Sequence, residues 1–143
     1  SLAAGMWELT SEVTTLQALD DGSPRMDTPV GTRTTASVCV GSGRPPTAFF
    51  AGEGYTCAYD SYYVRGSRLN VTLRCSREGL PGSISILAEG RFEAESLEFQ
   101  RHLSTALSGS GDVRIISRVT GRRTGDCPAG DPEGNQAGNQ AAE

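Results

Sequence analysis

The sequence predicts an all-β domain: a single antiparallel meander of about seven strands, forming a curved sheet or an up-and-down barrel stapled by disulfides. Three observations carry this expectation. Apolar and polar residues alternate with period two along most of the chain, and few windows show helical periodicity. Turn signals rich in glycine, serine and proline separate the alternating runs at short intervals. Four cysteines sit at spacings that suit bonds between strands, without any C-x-x-C pair that would suggest zinc. At 143 residues the chain is long enough for one core.

The elements follow in order. "GMWELTSEVTTLQAL" places Trp7, Leu9, Ser11 and Val13 against Glu8, Thr10, Glu12 and Thr14, so it reads as a long first strand. "DDGSPRMDTPVGT" (20–32) is a turn-rich loop, and "RTTASVCV" is a second strand ending at Val40. "GSGRPPTAFFAGEG" is a connection with one helical turn near Phe49 and Phe50. "SISILAEGRF" and "LEFQRHLSTAL" form a hairpin about Glu93–Ser96, in which Phe92 faces Leu97 and Ile86 faces Leu103. "VRIISRVTGRR" is the last strand, with Val113, Ile115 and Val119 on one face. Closing such a meander removes exposed edges. Residues 1–127 form the single domain. The tail 128–143, "PAGDPEGNQAGNQAAE" after Cys127, has too few apolar groups to order itself.

The segment "YTCAYDSYYVRGSRLNVTLRC" between the first two strands and the second hairpin is itself a hairpin. With Arg65-Gly66-Ser67 as the loop, Tyr62 meets Asn70, Asp60 meets Thr72, and Cys57 falls opposite Cys75. Leu69, Val71, Leu73 and Cys75 then share a face with Tyr63, Ser61, Tyr59 and Cys57, which points Tyr59 and Tyr63 inward and Tyr62 outward. Opposed residues in such a pair have Cβ atoms roughly 4.5–5.5 Å apart, so a disulfide Cys57–Cys75 is expected. If the sheet curls, Cys39 meets Cys127 and ties an early strand to the last one.

Composition excludes several functions. All 13 basic residues are arginine, so lysine chemistry is absent. The net charge is −4, and three of the acids lie in the tail, leaving a near-neutral body with no basic cluster for nucleic acid. Disulfides imply an oxidising compartment, periplasmic or secreted. The start at Ser1 suits a mature form after signal removal, and Met6 stands where a lipidated cysteine would be needed. No apolar run approaches the ~18 residues of a transmembrane helix.

No catalytic, metal or cofactor site is expected. His102 is the only histidine, and it has no nucleophile motif near it. Glu93, Glu95 and Glu98 cluster at a hairpin tip, where solvation is the ordinary role. Asn70-Val71-Thr72 matches a glycosylation sequon inside a strand and is read as coincidence. The residues most open to a binding role are aromatic: Tyr59, Tyr63, Phe49, Phe50 and Trp7, with Tyr55 and Tyr62 beside them. Inward tyrosines either complete a core or line a pocket, and "PPTAFF" is the candidate lid or partner contact.

Gly5-Met6-Trp7-Glu8, the inner cysteines Cys39, Cys57 and Cys75, and the ending Gly125-Asp126-Cys127 together resemble a family of small exported bacterial proteins, the DUF3617 domains of unknown function. The likeness spans most of residues 4–127. It implies export and a cysteine-stapled β-fold, and it implies no activity. Gly5-x-Trp7 with Arg122 and Arg123 is also similar to the lipocalin pattern, in which a tryptophan at the barrel floor packs under an arginine; there a cation–π pair contributes roughly 0.5–2 kcal/mol.

Two functions of different class are expected, neither enzymatic. One is an interaction or accessory protein of the bacterial envelope, with an envelope protein as partner. The other is a binding module for a small apolar ligand held inside a barrel. An interior volume of a few hundred Å³ favours the second; a filled interior with an exposed apolar patch favours the first. Trp7 is expected to be buried, with Glu8 outside.

Overall fold

The computed structural model describes residues 2–128, which form seven strands and one short helix. In chain order these are β1 (Gly5–Ala18), β2 (Arg33–Val40), α1 (Ala48–Ala51), β3 (Thr56–Arg65), β4 (Arg68–Arg77), β5 (Leu80–Phe92), β6 (Ser96–Leu107) and β7 (Val113–Gly125). All strands belong to one antiparallel sheet of order β2-β1-β7-β6-β5-β4-β3. The expected all-β meander is therefore present, as a curled half-barrel. β3 to β7 follow one another as hairpins. β1 then docks on β7, and β2 lies on its far side. The order is that of a ring opened between β2 and β3.

β1 is the joint of this ring. It pairs with β2 over Gly5–Glu12 and with β7 over Met6–Ala18. Its alternation keeps one face inward in both pairings, although the β1–β7 ladder shifts register between Met6 and Trp7 and between Val13 and Thr15: Trp7, Leu9 and Val13 are buried on the inner face, while Glu8 stays outside and meets Arg122 at 3.2 Å. Trp7 is fully buried, its indole N–H donating to the Ala3 carbonyl at 2.9 Å. The lipocalin likeness implies an arginine over this ring. Here the ring meets Phe49 edge-on at 6.0 Å, and Arg123 instead bonds the Ala4 carbonyl and the Asp126 carboxylate, each at 2.7 Å.

Both expected disulfides form, with Cα–Cα distances of 4.1 Å for Cys57–Cys75 and 5.7 Å for Cys39–Cys127. Cys39 is opposite Met6, and Met6 is opposite Gly125, so the second bond reaches across the start of β1 from β2 to beyond the end of β7. The second hairpin also takes its expected register, with Phe92 opposite Leu97 and Ile86 opposite Leu103. Within it Gly90 lies against the backbone of Glu98 and Phe99, where a Cβ would collide, so the β5–β6 pair approaches more closely than a side chain there would allow.

The first hairpin departs from expectation. Its loop is Gly66-Ser67 alone, because Arg65 pairs with Arg68; Gly66 turns the chain at φ 64°. The register is thus offset by one residue near the loop, and Tyr62 meets Val71 rather than Asn70. A bulge between Tyr59 and Ser61 restores the Cys57–Cys75 pairing. The consequence corrects the expected faces: Tyr63 points outward and is half exposed, while Tyr62 points inward with Tyr59. The extra residue, Asp60, is what puts both tyrosines on one side.

The connection from β2 to β3 joins the two edge strands, and α1 lies within it. Phe49 and Phe50 project from α1 into the core and are fully buried. The expectation of a disordered tail over 128–143 lies, apart from Pro128, outside the described residues.

Candidate functional site

The inside of the half-barrel has two unlike parts. On the β3 side it is packed with aromatic rings. Phe50 is the hub, at 5.1 Å from Phe49, 5.7 Å from Phe99 and 6.3 Å from both Tyr59 and Tyr62. The Tyr59 hydroxyl donates to the Pro45 carbonyl at 2.6 Å. Arg44 covers the outer side, 4.8 Å over Tyr62 and 5.4 Å over Tyr59. Burial raises the phenol pKa of Tyr59 well above its ordinary value, with the neighbouring Tyr62 adding to it. Tyr62 is raised as well, again by burial.

On the β1–β2 side the interior is hollow. A cavity of ≈350 Å³ lies between the inner faces of β1, β2, β6 and β7. Its walls are Leu9, Val13, Val38, Leu103, Ile115 and Val119, roofed by Ala48 and Ala51 of α1. The loop after β1 contributes Met26, Thr28 and Thr32. That loop is tied down by Asp20, whose carboxylate accepts the backbone N–H groups of Gly22, Gly111 and Asp112 at 2.8–3.1 Å. These bonds, those from Asp112 and Gly111 first, hold the Asp20 pKa below the usual carboxylate range. Exposed Thr34 and Thr35 on one side, and exposed Glu53 and Arg77 on the other, form the rim. The cavity thus opens where the ring is broken between β2 and the α1–β3 segment.

β6 and β7 each bring one polar side chain into the lining. Arg101 on β6 and Ser117 on β7 are directly paired. Arg101 stands in the inward series Leu97, Phe99, Arg101, Leu103, so its charge enters where the alternation calls for an apolar group. Its Nε donates to the Phe50 carbonyl at 2.7 Å, and its guanidinium lies 6.0 Å over Phe99. Burial pushes its pKa down to about 10, with Tyr55 opposing the shift. Among the described residues no carboxylate lies at ion-pair distance from it. Ser117 is 5% exposed, and no hydrogen bond partners its hydroxyl among the described residues.

The sequence-named candidates fall mostly on the packed side. Phe49, Phe50 and Trp7 are core residues, Tyr59 is part of the aromatic cluster, and Tyr63 faces solvent; none of the five lines the cavity. Tyr55 does, beneath Arg77 at 5.1 Å. His102 lies on the outer face of β6, 3.3 Å from Gln100. Sequence reasoning passed over Arg101, although its inward parity was legible.

A family model described as "Protein of unknown function (DUF3617)" matches residues 2–127. The chain belongs to the DUF3617 family. No curated protein and no solved structure matches it. The paired thiols of this DUF3617 domain fit a compartment outside the reducing cytosol. Among its described residues no helix is long and apolar enough to cross a membrane.

Proposed function

We propose that this DUF3617 domain is a non-enzymatic binding module of the periplasm or the secreted fraction, which holds a small, largely apolar molecule in the hollow side of its half-barrel. The observation that carries this reading is the ≈350 Å³ cavity, which has an aliphatic inner wall beneath a polar rim. Ligand sites occupy about 300–1,000 Å³, and a handful of convergent polar groups in an apolar lining is their usual composition. Such a volume left empty costs stability, since its wall loses the dispersion contacts that a packed core would supply. The aromatic side of the same molecule shows that the chain has the means to fill space. An accessory role through protein contact needs an exposed apolar face. The large apolar side chains exposed among the described residues are Leu19 and Val30, in the 19–32 loop, and Tyr63 on β3, a scatter ordinary for a surface.

The test is occupancy. Native mass spectrometry of the protein purified without denaturation should show retained small molecules, and a fluorescent apolar probe should bind with one site per chain. Ala36, on the β2 wall, offers the control: Ala36→Leu fills the cavity and should abolish probe binding without lowering the melting temperature. Full probe binding by that variant would place the ligand elsewhere.

A further inference from the structure

The hollow side holds a charge without a counter-charge. Arg101 projects from β6 into the cavity and reaches the C-terminal end of α1, where its Nε is held by the Phe50 carbonyl. One donor of five is thereby used in a fixed orientation, and the guanidinium lies beside Gly52. Arg101 is partly buried, and a charge withdrawn from water is ordinarily paired, because desolvation without a partner is costly. Glu53 is the one acid in the lining. It stands on the rim, exposed, and is not at ion-pair distance from Arg101. Next to Arg101, in register across β6–β7, the buried Ser117 hydroxyl lacks a partner among the described residues. Two adjacent donors are thus left for one acceptor group.

Resting on the cavity reading, we infer that the ligand is a single-chain carboxylic acid, its carboxylate received by Arg101 and Ser117 and its hydrocarbon chain lying against Leu9, Val38, Leu103 and Val119. The planar guanidinium matches a carboxylate in two parallel hydrogen bonds, and a hydroxyl beside it supplies a further donor. The charge count selects a monoanion. Arg101 and Arg77 against Glu53 give the lining one net positive charge, which a single anionic charge neutralises. Arg77 is also at the rim, stacked on Tyr55, and adds a positive field at the entrance.

Isothermal titration of the full chain with decanoate, decanol and decyl phosphate separates the possibilities. Wild type should bind decanoate at least about tenfold more tightly than decanol, the margin expected of a charge-assisted bidentate pair. Arg101→Gln keeps a donor for the Phe50 carbonyl and removes the charge; decanoate should weaken at least about tenfold while decanol changes by less than about twofold, so the preference vanishes. Ser117→Ala should weaken decanoate by a few-fold and leave decanol alone. Equal affinity of wild type for decanoate and decanol would show that Arg101 only clamps α1; the cavity reading would then stand and the carboxylate assignment fall. Tighter binding of decyl phosphate would also remove the carboxylate assignment. Binding of none of the three would remove the cavity reading with it. If Arg101→Gln does not fold, the wild-type comparison of acid and alcohol decides alone.

Discussion

The β3 side and the β1–β2 side of this half-barrel face the same interior and are built from strands of the same kind, yet one is solid and the other hollow. The difference lies in what enters from the connection between β2 and β3. α1 sends Phe50 toward the β3 side, sets Phe49 against Phe50 and Trp7 of β1, and shows only Ala48 and Ala51 to the cavity. Two large rings fill the space beside the cavity, and two methyl groups roof it. A four-residue helix thus sets where the molecule is rigid and where it has room. Filling and emptiness in a small barrel can be decided by one turn of chain rather than by the strands.

Substitutions that break the solid side should have the largest effect. Phe50→Ala removes the hub of the cluster and should cost about 3–5 kcal/mol in denaturant unfolding, through lost transfer energy and a new cavity. Val119→Ala in the wall of the hollow side enlarges an existing space and should cost less than half as much. Equal losses at the two sites would mean that the halves do not differ energetically. Next in size is the staple beside the cluster. Replacing Cys57 and Cys75 together by serine opens a loop of 18-residue separation and should cost about 3 kcal/mol in the chain-entropy account. Arg44→Ala uncovers Tyr59 and Tyr62 and should cost about 1 kcal/mol, read as a drop of about 3 °C in melting temperature.

Opposite ends of the pH scale should loosen the two sides separately. Tyr59 and Tyr62 have folded pKa values above their unfolded ones. Their neutral forms are favoured in the fold, so the stability they contribute is complete below about pH 10 and is lost as pH rises beyond it. Phenolate absorbance should therefore lag for two tyrosines until the cluster opens. Asp20 has a folded pKa below its unfolded one. Its contribution is present above the ordinary aspartate range and is lost as pH falls through the depressed folded value. Acid should free the 19–32 loop first, and Asp20→Asn should flatten that acid limb. Hydrogen exchange of Gly111 and Asp112 amides against pH checks it.

How much of this was legible follows the range of the interaction. Strand positions and the second hairpin were readable because alternation and loop length are local, and the disulfide pairing followed once strands were placed. The bulge at Asp60 was not, since "YDSYY" alternates equally well in two registers, and only the separate demands of the Gly66-Ser67 turn and the Cys57–Cys75 bond require an extra residue between them. The cavity was out of reach as well, because it depends on how far the sheet curls and which way α1 turns its rings. Arg101 was a different case. Its inward parity is visible between Phe99 and Leu103, but parity alone does not separate an inward arginine from one whose head reaches solvent.

The bond from Cys39 to Cys127 has a consequence for how the molecule is made. The native pairing is nested, first cysteine with last and the middle two together. A chain that emerges amino end first exposes Cys39 and Cys57 before Cys75 and long before Cys127. An oxidant that joins thiols in order of appearance yields Cys39–Cys57, which holds β2 against β3 and shuts the seam through which the cavity opens. Reaching the native pattern then requires that bond to be attacked by a later thiolate and exchanged, a step of minutes to hours without catalysis. Under such an oxidant the yield of the open form follows the rate of thiol exchange.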